Sequence, residues 1–305
     1  MDRADQMAVF VEVAERGSFV QAARRLKRSP AAVTRSIAEL EARLGVRLLN
    51  RTTRAVTLTE PGQTLLAGAR RVLADFDEIE QTTAGHGSAP RGELAVTAPI
   101  VFGRLHVTPI VTAFLKRYPD VNVRLLLLDR PIDLVDEGID VAVRIGVLPD
   151  SSGVATRIGA VCRVVVATPS YLARHAGVNA PADLAQHSII SFSGLGGPER
   201  WRFVGEGDET TVRVTPRLTV STAEAALDAV MSGFGITRVL SYQAAEALAS
   251  GTLVRVLAAH ETQDLPVHLL YPAGRHPAPK LRAFIDFAAG RLRRRLDEIT
   301  RMTKR

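Results

Sequence analysis

Ser29-Pro30-Ala31-Ala32-Val33-Thr34-Arg35-Ser36-Ile37-Ala38-Glu39-Leu40-Glu41-Ala42-Arg43-Leu44-Gly45 is the stretch on which the reading turns. Ser29 is an N-cap residue type, and Pro30 follows at the first helical position, where a missing N–H costs nothing. Val33, Ile37, Leu40 and Leu44 fall at i, i+4, i+7 and i+11, a single apolar stripe. Ala31, Thr34, Arg35 and Ala38 share another face that is small, hydroxylated and cationic. A helix entering a major groove needs those properties: little bulk, a hydroxyl, and an arginine able to reach a guanine edge or a phosphate.

The flanks agree. Upstream, Met7, Phe10, Val11 and Ala14 repeat at helical spacing, and Gly17 ends that helix. Ser18 caps a second helix whose Phe19, Ala22, Ala23 and Leu26 turn inward. Lys27 and Arg28 make a short turn into the third helix, and this order describes a helix-turn-helix. Downstream, the β-branched content of Val46–Leu58 and the alternation of Val56 and Leu58 predict a short hairpin. Arg51, Thr52, Thr53 and Arg54 fall near its tip, which reads as a wing laid on the phosphate backbone or in the minor groove. The candidate contacts to double-stranded DNA are Ser29, Pro30, Ala31, Thr34, Arg35, Arg51, Thr53 and Arg54. Residues 1–60 carry eleven cations against seven anions, more than half of the net charge of +7. The alternative is a small helical domain with a solvated basic face.

These segments together, from Phe10-Val11-Glu12-Val13-Ala14-Glu15-Arg16-Gly17-Ser18-Phe19 through Ala22-Ala23-Arg24-Arg25-Leu26 to Leu40-Glu41-Ala42-Arg43-Leu44-Gly45-Val46-Arg47-Leu48-Leu49-Asn50-Arg51, resemble the LysR-type transcriptional regulators. The resemblance is nearly unbroken over residues 3–62 and looser after residue 90. It implies a homodimer or homotetramer whose DNA affinity or DNA bending responds to a small-molecule effector, with RNA polymerase as a further candidate partner. The implied fold is α/β: a winged helix-turn-helix, a long linker helix and a two-lobed effector domain similar to periplasmic binding proteins.

Residues 61–82 read as the linker helix. Leu65, Ala69, Val72, Phe76 and Ile79 recur at alternating steps of four and three, a heptad seam that wants a partner helix. The alternative is an amphipathic helix lying on its own domain. Residues 83–91 are small, polar and glycine-rich and read as a hinge.

From Glu93 strands alternate with helices, the signal of βαβ units and a parallel sheet. Strands are predicted at Glu93–Ala98, Val121–Leu128, Ile139–Ile145, Cys162–Thr168, Ile189–Phe192, Val212–Val220, Ile236–Val239 and Val267–Tyr271. Helices are predicted at Gly103–Tyr118, Thr222–Ser232, Ser241–Leu248 and Pro279–Arg295. The resemblance implies an effector domain over 92–295, with lobe I at 92–162 and 267–290 and lobe II at 163–266, followed by a basic tail at 296–305. In such folds ligands sit at the carboxyl ends of strands. Thr97, Pro99, Phe102, Arg144, Gly146, Ser193, Trp201, Ser221 and Thr222 are the candidate effector residues. Hydroxyls beside a helix N-terminus suit an anion, so a small carboxylate is expected. The alternative makes Thr222 a mere N-cap and Arg144 a structural ion pair.

Other chemistries find little support. The seven histidines show no metal-ligand spacing, and no Walker A, GxGxxG or GxSxG pattern is present, so neither cofactor nor metal is expected. Cys162, the one cysteine, lies in a predicted buried strand and reads as a small core residue. The single cysteine, the polar start Met1-Asp2-Arg3-Ala4-Asp5 and the lack of a membrane-length apolar run point to a cytoplasmic protein without membrane attachment, and the resemblance implies a bacterial one. The rivals to a regulator are an enzyme carrying a DNA-binding head and an architectural DNA binder without a ligand. The cations of the tail read as a solvated or frayed helix end.

Overall fold

The structure, a computed structural model, describes residues 2–51, 56–83, 89–148, 153–192, 200–204, 209–273 and 278–303. The chain forms two compact units, one built mainly on the first ninety residues and one on most of the remainder.

The first unit contains α1 (Arg3–Arg16), α2 (Phe19–Arg25), α3 (Pro30–Leu44), the antiparallel strands β1 (Leu49–Arg51) and β2 (Val56–Leu58), and α4 (Glu60–Thr83). Ser18 and Ser29 cap α2 and α3 by accepting from the Gln21 and Ala32 amides. Gly17 and Gly45 end α1 and α3 in the left-handed conformation. The core joins Val9, Phe10, Val13, Ala22, Ala23, Val33, Ile37, Leu40, Leu48 and Leu49.

Two expectations about this core are corrected. The inward face of α1 is Gln6, Val9, Phe10 and Val13, not Met7, Phe10, Val11 and Ala14. Both sets have helical spacing. The observed one wins because the Gln6 amide is satisfied, donating to Glu39 Oε2 and accepting from Arg43 Nη2, each at 3.3 Å. Leu44 remains exposed, while Leu48 and Leu49 close the core beyond the end of α3.

The second unit opens with β3 (Gly92–Ala98), α5 (Ile100–Phe102), a π-helical turn (Gly103–Val107), α6 (Thr108–Arg117), β4 (Val121–Leu127), β5 (Val141–Ile145) and β6 (Gly153–Val161). It continues with β7 (Arg163–Ala167), α7 (Pro169–Leu172), β8 (Ile189–Phe192), β9 (Arg200–Val204), β10 (Glu209–Arg213), β11 (Pro216–Val220), α8 (Ala223–Met231), β12 (Ile236–Leu240), α9 (Ser241–Ala249) and β13 (Val254–Val256). It closes with β14 (Leu265–Pro272) and α10 (Pro279–Thr303). Among the described residues no helix is long and apolar enough to cross a membrane.

Two five-stranded sheets result, ordered β4-β3-β5-β14-β6 and β11-β8-β12-β7-β13. Neither is purely parallel, which corrects the sequence reading. In the first, β3 runs parallel to β4 and β5, while β14 runs antiparallel to β5 and β6. In the second, β11, β8 and β12 are parallel, and β7 is antiparallel to β12 and β13. The antiparallel halves arise where the chain passes between sheets: β6 leads through Cys162 to β7, and β13 leads back to β14. The expected strand Val212–Val220 is two strands, and β10 pairs with β9 in a separate hairpin. Cys162 lies between strands, half-buried, with its N–H donating to Ser241 Oγ at 3.2 Å. Burial raises its thiol pKa. The end of α10 is docked rather than frayed, since Leu296, Ile299 and Thr303 are buried.

Alternation along β7 gives the second sheet two cores. Val164 and Val166 pack with α8, whereas Val165 and Ala167 pack with Tyr171, Leu184, Trp201 and Phe203. Between β8 and β12 the backbones approach too closely for a side chain at Gly235, where a Cβ would lie 2.0 Å from the Ser188 carbonyl oxygen. Gly235→Ala is expected to destabilise this unit by about 1–3 kcal/mol, read from denaturant unfolding. Gly290→Ala, in α10 with no atom within 4 Å of its Cβ, is expected to be neutral or stabilising by up to about 1 kcal/mol.

Candidate nucleic-acid interface and effector site

The third helix presents the two faces that its spacing predicts. Val33, Ile37 and Leu40 have no exposure, and Ser29, Pro30, Ala31, Thr34 and Arg35 all face solvent. Thr34 Oγ1 donates to Pro30 O at 2.9 Å, which fixes the hydroxyl near the start of the helix. Arg51 lies in β1 but its side chain, like Thr53 and Arg54, falls outside the described residues.

Two acids that sequence reasoning missed set this geometry. Glu41 Oε1 accepts from the Leu48 and Leu49 amides at 2.8 and 3.2 Å, so α3 itself holds the start of the wing. Asp5 receives both Arg28 nitrogens, at 2.6 and 2.9 Å, tying α1 to the turn before α3. Lys27 in that turn takes a positive φ of 54°, unusual for a side-chain-bearing residue. A lone acid carries no sequence signal of which distant base or backbone amide it will meet, which is why neither was visible.

The predicted seam of α4 divides. Leu65 packs against the head's own core and Ala69 is buried, as in the alternative reading, whereas Val72 and Phe76 are 37% and 50% exposed. The side chain of Ile79 and residues 84–88 of the expected hinge lie outside the described residues.

The candidate effector residues also separate. Thr97 has no exposure, and its hydroxyl donates to Leu126 O at 2.8 Å. Phe102 is fully buried, edge-on to His106 and Tyr242. Trp201 is buried in the core on the face of the second sheet opposite α8. Strand parity and core packing turn all three inward in this arrangement. Ser193 lies outside the described residues. Ser221 and Thr222 are exposed at the end of β11, where Thr222 Oγ1 accepts from Ala225 N and caps α8. Arg144 and Gly146 end β5, half-buried, and Pro99 precedes α5. Near these strand ends the sequence reading overlooked Asp129, which accepts from Ile100 N at 3.0 Å, and the Arg104–Glu224 ion pair at 3.4 Å that joins the two sheets' layers. Burial, with Arg295 nearby, lowers the His106 pKa to about 4, and burial pushes the Tyr242 phenol up.

Residues 4–63 match the family model of the bacterial regulatory helix-turn-helix proteins of the lysR family, and residues 87–293 match the LysR substrate binding domain. The chain belongs to the LysR family of transcriptional regulators. It is 34% identical over 284 residues to the probable regulator LtrA of Klebsiella pneumoniae, covering 92% of each chain. It is 36% identical to PtxR of Pseudomonas aeruginosa, covering 92% of this chain and 90% of that one. Among solved structures, the full-length virulence activator AphB of Vibrio cholerae superposes with a TM-score of 0.61 at 29% identity, covering 95% and 99% of the two chains. CrgA of Neisseria meningitidis gives 0.61 at 30% identity, covering 96% and 99%. As a LysR-type protein the chain is a DNA-binding transcriptional regulator with an effector-binding domain, and its relatives are regulators rather than enzymes.

The Asp5–Arg28 contact makes the LysR head sensitive to acid. Hydrogen bonding from Arg28 holds the Asp5 carboxyl below its ordinary range. A lowered carboxylate pKa adds stability that is present above the unfolded value, about 3.9, and lost as pH falls through the folded one. Melts of the full chain between pH 6 and 3 are expected to show declining head stability below about pH 4. Asp5→Asn should flatten that decline, and equal slopes in the two proteins would reject the role.

Proposed function

We propose that this LysR-type regulator reads a promoter site with Ala31, Thr34 and Arg35 in the major groove, Ser29 and Pro30 at the backbone, and Arg51, Thr53 and Arg54 on the wing. The observation that carries this reading is the opposition of faces on α3, where a fully buried apolar stripe forces the small, cationic face outward. The exposed Val72 and Phe76 support a homodimer or homotetramer formed through the linker helix, which would bring two heads to one inverted repeat. RNA polymerase is the partner through which bound protein would act. The division into head, linker, hinge, two lobes and tail belongs to the same proposal.

Promoter binding responds, in this reading, to a small carboxylate at the strand ends. Ser221, Thr222 and Arg144 carry it, flanked by Pro99 and Gly146. Support comes from the exposed hydroxyls at the N-terminus of α8, where unpaired amides favour an anion. Effector binding changes DNA affinity only if it favours one arrangement of the protein over another.

Arg35→Ala is expected to weaken binding to a footprinted site by about 1–3 kcal/mol, measured by fluorescence anisotropy at fixed salt. Calorimetry of the full chain against mono- and dicarboxylates, with amines as the opposite-charge set, is expected to give one carboxylate whose affinity falls about tenfold, some 1.4 kcal/mol, in Thr222→Val. A ligand found among the amines, acting through Asp129 and Glu224, would replace the carboxylate reading.

A further inference from the structure

Lobe II contains guanidiniums that neither the DNA face nor the strand-end residues use. Arg163 opens β7, and Arg238 lies in the adjacent β12, where it pairs with Val165 while Leu240 pairs with Arg163. Strand alternation puts Arg163 with Val165, and Arg238 with Ile236, on the face that carries Trp201 and Phe203. Arg238 is only 7% exposed. Its Cζ stands 5.0 Å from the Trp201 ring centre, and its Nη1 donates to Arg202 O at 3.3 Å. Its buried Nε has no hydrogen-bond partner among the described residues.

Among the described residues the electrostatics of the group are one-sided. Burial and the charge of Arg163 push Arg238 down to about 9, and burial and the charge of Arg202 lower Arg163. Among the described residues no carboxylate contributes to either shift. Arg255 in the same lobe shows the ordinary solution, paired with Glu261 and with the Thr303 carbonyl. A buried charge is costly unless an opposite charge meets it, and Arg163 and Arg238 on one face of the sheet, with the charge of Arg202 of the neighbouring hairpin close by, gain from an anion that bridges them. The planar donor fork of arginine matches an oxyanion, and the indole beneath Arg238 holds that fork in place.

We propose that lobe II binds a small oxyanion, either a carboxylate or an inorganic phosphate or sulfate, between Arg163 and Arg238, with Arg202 at its rim. The site goes beyond the strand-end reading. It stands on other residues and is separable from that reading by mutation. An anion carrying two charges fits best, because it meets Arg163 and Arg238 at once.

Calorimetry of the full chain with sodium phosphate, sodium sulfate and disodium succinate, at constant ionic strength set by chloride, tests this. Saturable binding of at least one of them, one per chain in lobe II, is the expected result, and the preferred probe identifies the oxyanion's source. Arg163→Gln and Arg238→Met are each expected to weaken it on the order of tenfold or more. Lys116→Gln on α6 should leave it unchanged, which separates the site from general attraction to a basic protein. A second readout is the melting temperature. The probe should raise it in wild type and not in Arg238→Met, whether that variant is itself more or less stable. Equal affinity in wild type and both arginine variants, or no saturable binding by any of the three anions, would overturn the site.

Discussion

The rest of the molecule depends on one helix being held by one side only. In α3 the residues at i, i+4 and i+7 from Val33 are withdrawn from water, and burying three such side chains contributes several kcal/mol to the head, on the order of 1.5–3 each. Because a helix turns through 100° per residue, that burial leaves Ala31, Thr34 and Arg35 nowhere to go but outward. The acids then make the placement precise. Asp5 fixes the turn that aims the helix, and Glu41 attaches the wing to the helix it must accompany. A DNA reader gains from such rigidity, since base contacts discriminate only when the side chains arrive in register.

The head was largely legible in its sequence because its signals are local: caps at Ser18 and Ser29, glycines at 17 and 45, and one strong apolar period. What was not legible came from longer range. Gln6 replaced Met7 in the core through partners more than thirty residues away. The seam of α4 has the same spacing whether it faces a partner or its own domain, and Leu65 and Ala69 chose the latter. In the effector domain the alternation of strands and helices was visible, but sheet direction was not, since β14 joins from the far end of the chain. Thr97 and Trp201 carry the chemistry of a ligand site, and strand parity, which their residue types do not announce, turns both into the packing. Arg163 and Arg238, seventy-five positions apart, become neighbours only through strand pairing.

The elements around the two five-stranded sheets meet through contacts whose strength depends on their separation. Phe102 and His106 lie edge-on to Tyr242, with ring centres 5.2 and 5.7 Å away, and Arg104 reaches Glu224. Edge-to-face aromatic pairs weaken within an ångström or two of displacement, so this cluster holds the elements it joins to a narrow range of separation. His106 sits in a π-helical turn, a backbone form often retained where function requires an otherwise unfavoured geometry. Burial keeps the His106 ring uncharged at neutral pH, so the cluster acts through packing rather than charge.

All strands of the β11-β8-β12-β7-β13 sheet lie in sequence between β6 and β14 of the other sheet, and this has a consequence for how the polypeptide is made. A ribosome releases residues in order, so β6 emerges more than a hundred residues before β14, the only strand it pairs with among the described residues. During that interval the head and then lobe II can complete their own cores, while β6 waits as an open edge beside a half-built sheet. A truncated or stalled chain ending before Leu265 would therefore carry a finished DNA reader attached to an unfinished, self-adhesive sensor, a hazard of the topology itself.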